Sequence, residues 1–123
     1  MANLIKGNVI KGHGLGKKLG FPTLNIEYGG RFFGIFAADV VINGKWYKSA
    51  IHIGKRSILK DNKILLEAHL LDFNEQIPDG TEIGVKLLQK IRITKKFSDI
   101  PSLKKQIAKD VEFIKNWYNH GEV

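Results

Sequence analysis

The sequence predicts a mainly β protein: about six antiparallel strands closed into a barrel, with one helix at the C-terminus. Three observations predict it. Short runs rich in β-branched and aromatic residues recur along the first three quarters of the chain, punctuated by Gly, Asn, Asp and Pro. Asn43-Gly44 stands between two such runs, a strong hairpin signal because a type I′ turn needs φ > 0 at both positions. In the last quarter the apolar period changes to that of a helix. Closure removes sheet edges, and the helix is expected to give the barrel mouth an apolar lid.

The elements follow in order. Residues 4–11 are short and rich in β-branched side chains, and residues 21–26 form a second candidate strand. Gly34–Ile42 and residues 45–53 flank the Asn43-Gly44 turn. Asp61-Asn62 precedes a strand over residues 64–71, and Asp79-Gly80 precedes one over residues 82–93; both pairs are good turn chemistry. Leu103, Ile107, Val111, Ile114 and Tyr118 recur at spacings of three and four, which predicts a helix over about 99–120. Ser98 or Asp99 would cap it, Pro101 is tolerated in its first turn, and Gly121 would stop it. Lys104, Lys105, Lys109 and Lys115 fall mainly on its solvated side. Trp46, Tyr47 and Trp117 read as core or barrel-surface aromatics.

The 123 residues suit one domain over 1–123, and 43% hydrophobic residues suffice for a core. There is no cysteine, which excludes disulfides, Cys-based zinc sites and a thiol nucleophile, and suits a cytoplasmic protein. No apolar run approaches the length of a membrane-spanning helix, and the first residues lack a signal peptide's apolar stretch. The formal charge of +8 attracts anions, whether nucleic acid, membrane surface or a polyanion such as ATP. The basic residues are spread along the chain without a tail, which weakens the nucleic-acid reading.

Residues 12–26 carry the most chemistry. Gly12, Gly14 and Gly16 alternate, so backbone N–H groups can converge on one point and form a phosphate-sized nest. Lys17 and Lys18 add charge beside them. On the glycines alone, a mobile loop remains the plainer reading. The G-x-x-x-x-G-K-[ST] pattern is absent, and nothing in the sequence puts these glycines at the start of a helix. Pro22 fixes its own φ and restricts Phe21, so the geometry of Thr23 is set in advance. Thr23 and Asn25, two apart on an extended segment, share a face. Their oxygens are hard donors suited to Mg²⁺ shared with phosphates, though they also suit the end of a turn. Glu67, between Leu66 and Ala68, reads either as a solvent-facing strand glutamate or as a base for an attacking hydroxyl. His69, two residues on, shares its face and reads as structural.

From Gly12 to Asn25 the pattern G-x-G-x-G-[KR]-x-L-G-F-P-T-x-N closely resembles the phosphate loop and metal-binding motif of the flavokinase family. That family includes stand-alone riboflavin kinases and the C-terminal module of bifunctional bacterial FAD synthetases. The resemblance continues through Gly34-Ile35-Phe36-Ala37, Ile53-Gly54, the stretch from Leu66 to Phe73, and Ile91-Arg92 followed by Lys95-Lys96-Phe97. It implies a split Greek-key barrel of six antiparallel strands, with ATP, Mg²⁺ and riboflavin meeting at one face. It implies ATP contacts at Gly12, Gly14, Gly16, Lys17, Thr23, Asn25, Leu70 and Asp72, and Mg²⁺ at Thr23 and Asn25. Glu67 would be the catalytic base, and Arg92, Lys95, Phe97 and Ser102 would surround the flavin. Three places depart from the family pattern: Leu24 replaces a small residue, Arg56-Ser57 lacks the usual proline, and Asp79 replaces an aromatic before Gly80.

The expectation is therefore a monomeric, cytoplasmic riboflavin kinase, making FMN and ADP from riboflavin and ATP, without nucleic-acid or membrane partners. The chain leaves no room for a preceding nucleotidyltransferase domain, so FAD is not an expected product. The alternative is a flavin- or nucleotide-binding module or sensor with weakened activity. A nucleic-acid-binding barrel would need basic residues interleaved with exposed aromatics, which only residues 45–48 supply.

Overall fold

The computed structural model describes residues 4–12, 14–59 and 62–120. In chain order the elements are β1 (Ile5–Asn8), α1 (Leu15–Lys18), β2 (Leu24–Glu27), β3 (Gly34–Ile42), β4 (Lys45–Gly54), a single 3-10 turn (Ser57–Leu59), β5 (Leu65–Leu70), β6 (Glu82–Arg92) and α2 (Ile100–His120). The sheet order is β1-β6-β3-β4-β5-β2, with every pairing antiparallel. Strand β6 returns beside β3 after two hairpins, which is the Greek-key connection. The two ends of the sheet meet where Ile10 N donates to Asn25 O at 2.8 Å, nearly closing the barrel.

The turn chemistry explains the sharpest boundaries. Asn43 and Gly44 both have positive φ, 50° and 79°, as a type I′ turn requires. Strand β1 stops earlier than its composition suggests because Val9 and Ile10 leave the ladder to bond Thr81 and Asn25. Strand β2 starts later because Phe21 N turns back to Gly16 O at 2.7 Å. The Gly-rich segment does open a helix, contrary to the sequence reading: α1 is one turn, entered through Gly14 at φ 71°. Asp99 caps α2, accepting from Ser102 N at 2.8 Å and from the Ser102 hydroxyl at 3.0 Å. Gly121, Asp61 and His13 lie outside the described residues.

Alternation along the strands builds two apolar layers. Phe36, Ala38 and Val40 of β3 point into the barrel with Ile51, Ile53, Leu66 and Val85. Ile35 and Ala37 point outward, and with Ala50 they meet Val111, Ile114 and Tyr118 of α2. The helix thus packs on the outer face of the barrel wall rather than over its mouth. Strand β3 requires this, since its apolar residues occupy both parities. Tyr118 fastens the contact, its hydroxyl donating to Ala38 O at 2.6 Å beside Asp39. Burial, with Asp39 adding to it, pushes the Tyr118 phenol far above its usual pKa. Trp46 is exposed, whereas Tyr47 packs on the barrel interior and Trp117 under the helix.

Candidate active site

Strand register assembles the site. Glu67 on β5 pairs with Asn25 on β2 and with His52 on β4. His52 pairs with Ile35 on β3, which pairs with Arg92 on β6. Cross-strand partners face the same way, so Asn25, Glu67, His52, Ile35 and Arg92 form one row across five strands, pointing out of the barrel. Segments far apart in the chain reach that row only through pairing.

Glu67 is buried, 8% exposed, which is unlike the solvent-facing alternative. Arg56 Nε donates to its Oε2 at 2.8 Å. His52 Nδ1 lies 3.1 Å from the same oxygen, out of line for a full hydrogen bond, and among the described residues it has no other polar partner. Burial pushes the Glu67 carboxyl up, but the His52 ring and the Arg56 charge outweigh it and hold it below the ordinary carboxylate range. For His52, burial lowers the pKa, the Glu67 contact opposes it, and the charges of Arg56 and Arg92 add to the lowering. The imidazole is neutral at pH 7, and the carboxylate is ionised.

Two clefts meet at Glu67. One, about 390 Å³ and open to solvent, carries the polar side chains of Thr23, Asn25, Arg56, Lys63 and Glu67 beside Leu15, Leu59 and Leu65, with Gly14 and Gly54 completing it, and is the more polar of the two. The other, about 470 Å³, lies between the outer sheet face and α2. Phe21, Ile35, Ala50, Ile107 and Val111 give it apolar walls, and His52, His69, Arg92 and Asp110 supply polar atoms. Thr23, Arg56 and Glu67 line both.

The structure brings some predicted site residues together and separates others. Thr23, Asn25, Gly14 and Glu67 share the polar cleft, and Gly16 joins Thr23 in the apolar one. Gly12 packs so closely on the Asn25 amide that a Cβ there would overlap it. Lys17 is exposed on α1 and lines neither cleft. Leu70 is 4% exposed inside the barrel, and Asp72 lies in the following turn, 4.0 Å from Lys115. Neither lines the two clefts. Lys95 and Phe97 line a smaller cleft of about 200 Å³ beside Lys55 and Arg56. Ser102 is engaged with the Asp99 cap.

Arg92 lines the apolar cleft, but its fork is already clamped. Nε and Nη2 donate to Asp110 at 2.9 and 2.6 Å, and Nη1 donates to Ile93 O at 2.8 Å. Asp110 also accepts from Gln106 at 3.0 Å. His69 holds the Phe21-Pro22 turn, its Nδ1 being 2.8 Å from Pro22 O and its ring edge-on to Phe21. Its structural reading therefore fits, and the turn delivers Thr23 to the site. Sequence reasoning missed His52, Asp110 and the contact of Arg56 with Glu67. Asp110 left one signal, a carboxylate on the apolar stripe of α2 between Ile107 and Val111. His52 left none, since its register with Glu67 is set by pairing.

The comparisons agree with this geometry. A family profile described as "Flavokinase: Riboflavin kinase" matches residues 2–118. The chain is 38% identical over 119 residues to a bifunctional riboflavin kinase/FMN adenylyltransferase of Haemophilus influenzae, covering 94% of this chain and 38% of that protein. It is 35% identical to the RNA-binding riboflavin kinase RibR of Bacillus subtilis, covering 90% of this chain and 49% of that one. Among solved structures, one titled macrolide-efflux protein from Streptococcus pneumoniae aligns with a TM-score of 0.79 at 28% identity, over 94% of this chain and 39% of that one. Riboflavin kinase from Trypanosoma brucei shares the fold, with a TM-score of 0.62 at 21% identity over 95% of this chain and 80% of that one. The chain spans less than half the length of the two curated relatives. A row of outward side chains that includes Glu67, two clefts that meet there, and a profile match over nearly the whole chain lead to one conclusion: the chain belongs to the riboflavin kinase family.

Proposed function

We propose that this chain transfers the γ-phosphoryl group of ATP to the 5′-hydroxyl of riboflavin, giving FMN and ADP. The observation that carries the reading is the position of Glu67, buried where a polar and an apolar cleft join. A phosphoryl transfer needs a polyphosphate and a hydroxyl brought together from two sides. The flat apolar ring system of riboflavin suits the cleft between Ile35 and Val111, with its ribityl chain directed toward Glu67. The triphosphate suits the polar cleft, which Gly14, Thr23 and Asn25 line and behind which Gly12 packs on the Asn25 amide; Gly16 and Lys17 belong to α1 beside it.

Mg²⁺ fits the donors present. The Thr23 hydroxyl and the Asn25 amide oxygen are hard ligands in one cleft, and no cluster of three or more His, Cys, Asp or Glu exists among the described residues. Two such donors suit an ion whose other ligands are phosphate oxygens and water. When bound, the ion would neutralise charge on the phosphates. The chain's own residues do the rest. Glu67 aims the hydroxyl and takes its proton as the new P–O bond forms. The bond to the β,γ-bridging oxygen breaks, and ADP leaves.

On this reading barrel and helix act as one catalytic unit. Its partners are riboflavin, FMN, ATP and ADP; it works as a cytoplasmic monomer, without nucleic acid or membrane. Among the described residues no helix is long and apolar enough to cross a membrane. One observation favours a second reading, a flavin-binding module without turnover: Glu67 is already paired with Arg56. A riboflavin fluorescence titration with and without Mg–ADP, followed by addition of Mg–ATP, separates the two. The kinase reading expects binding and then FMN; binding without FMN supports the module.

A further inference from the structure

Among the described residues two arginine–carboxylate pairs stand on the outer face of the barrel, and they are built differently. Arg92 meets Asp110 through two parallel hydrogen bonds and spends its remaining nitrogen on a backbone carbonyl. Arg56 meets Glu67 through Nε alone, at 2.8 Å. Among the described residues no hydrogen bond engages its Nη groups. The first pair is a clamp. The second is a single-point contact that leaves the end of a planar fork for another acceptor.

Position sharpens the contrast. Arg56 follows β4, two residues after Gly54, and its carbonyl accepts from Leu59 N at 3.0 Å, so its backbone is held by a 3-10 turn. Its side chain is largely buried, yet it borders the polar cleft, the apolar cleft and the small cleft beside Lys95. It is therefore beside the place where a hydroxyl from one cleft would meet a phosphoryl group from the other. Glu67 is faced by Asn25 from β2, His52 from β4 and Arg56 beyond it. His69 lies further along β5 itself, and Lys63 lies just before β5. Arg92 and Asp110 lie further along the same face. Of the cations among these, Arg56 is the one hydrogen-bonded to the Glu67 carboxylate.

We propose that Arg56 is a catalytic residue that changes partner: it latches Glu67 while the clefts are empty, and passes to the transferring phosphoryl group when both substrates are in place. The inference rests on the kinase reading above. A carboxylate offers the fork one oxygen here, whereas the phosphoryl group in transit presents three equatorial oxygens beside the charge growing on the β,γ-bridging oxygen, so the fork gains contacts by moving. One movement then has two effects. It removes the cation that weakens Glu67 as a proton acceptor, and it places that cation on the charge developing in the transition state. Until the phosphates arrive, the base stays occupied.

The test combines kinetics with a direct view of the guanidinium. Single-turnover FMN formation is measured at saturating riboflavin and Mg–ATP for the native protein, Arg56→Gln and Arg56→Lys. The Arg56 Nε–H resonance of the native protein is followed as riboflavin, Mg–ADP and then aluminium fluoride, which mimics the phosphoryl group in flight, are added. We expect turnover to fall roughly 10²–10³-fold in Arg56→Gln, as for loss of a preorganised donor. Arg56→Lys should recover part of it, since charge returns without the fork. Riboflavin Kd should change little. The resonance should leave its carboxylate-bonded position only in the complete mimic complex. An unmoved resonance in that complex overturns the proposal even if the variants are slow, because the arginine then acts only by holding Glu67. Full turnover in Arg56→Gln overturns it as well. If Arg56→Gln fails to fold, the native resonance decides. FMN formation by the native protein with either contrary result sinks the latch alone, whereas no FMN at all removes the kinase reading and the latch with it.

Discussion

Glu67 carries opposing demands. A proton acceptor gains from a raised pKa, yet Arg56 and His52 hold this carboxyl below the ordinary range against the effect of burial. It is therefore fully ionised at neutral pH. Because its folded pKa is depressed, its contribution to stability is present above the unfolded value and is lost as pH falls through the folded one. The acid limb of kcat/KM, which reports the free protein, should lie below the usual glutamate range and be absent in Glu67→Gln. Single turnover of Glu67→Gln should be slower by about 10²–10⁴. Glu67→Ala decides between roles: Gln no better than Ala means proton acceptance, and Gln well above Ala means aiming. Thr23→Val and Asn25→Leu should each lose about 10²–10³ in kcat, with riboflavin binding in the absence of nucleotide little changed. Near-native turnover at saturating Mg–ATP would leave them as turn-formers. That Thr23, Asn25 and Glu67 meet in one cleft was legible in the sequence because contiguous motifs carry them. A motif does not give side-chain direction: Leu70 is three residues from Glu67 on one strand, hence of opposite parity, and its side chain faces the barrel interior.

At the scale of elements, α2 forms one wall of the apolar cleft, and the Arg92–Asp110 clamp fixes it to β6. Both side chains are mostly buried, at 17% and 12% exposure. Asp110→Asn leaves the arginine charge without its counter-ion, which typically costs about 3–5 kcal/mol for a buried pair. Thermal or urea unfolding should show a loss of that order, and riboflavin affinity should weaken with it. Unchanged stability would mean that the helix is held by its apolar face alone. The helix itself was legible from the spacing of Leu103, Ile107, Val111, Ile114 and Tyr118, and the β3–β4 hairpin from Asn43-Gly44. Where the helix packs was not. The clue lay in β3, whose apolar residues at both parities require a layer on each side. His52 and Arg56 entered the site through register and through the turn after β4, neither of which spacing reveals.

Over the whole molecule, the barrel is a support rather than a container: its interior is filled, and the chemistry sits on its outer wall beside the seam where Ile10 meets Asn25. The net charge of +8 surrounds that wall with a field that favours polyanions. Raising ionic strength should therefore lower kcat/KM for ATP while leaving the affinity for uncharged riboflavin nearly constant. Equal salt sensitivity of both would detach the charge from nucleotide capture. The central claim is that riboflavin and ATP meet at Glu67 and exchange a phosphoryl group there. Incubating the protein with riboflavin and Mg–ATP and separating the products by chromatography tests it most directly. The account predicts FMN and ADP in equal amounts from the native protein and a sharply reduced yield from Glu67→Gln. Riboflavin and ADP that both bind, with no FMN formed from Mg–ATP, would contradict it.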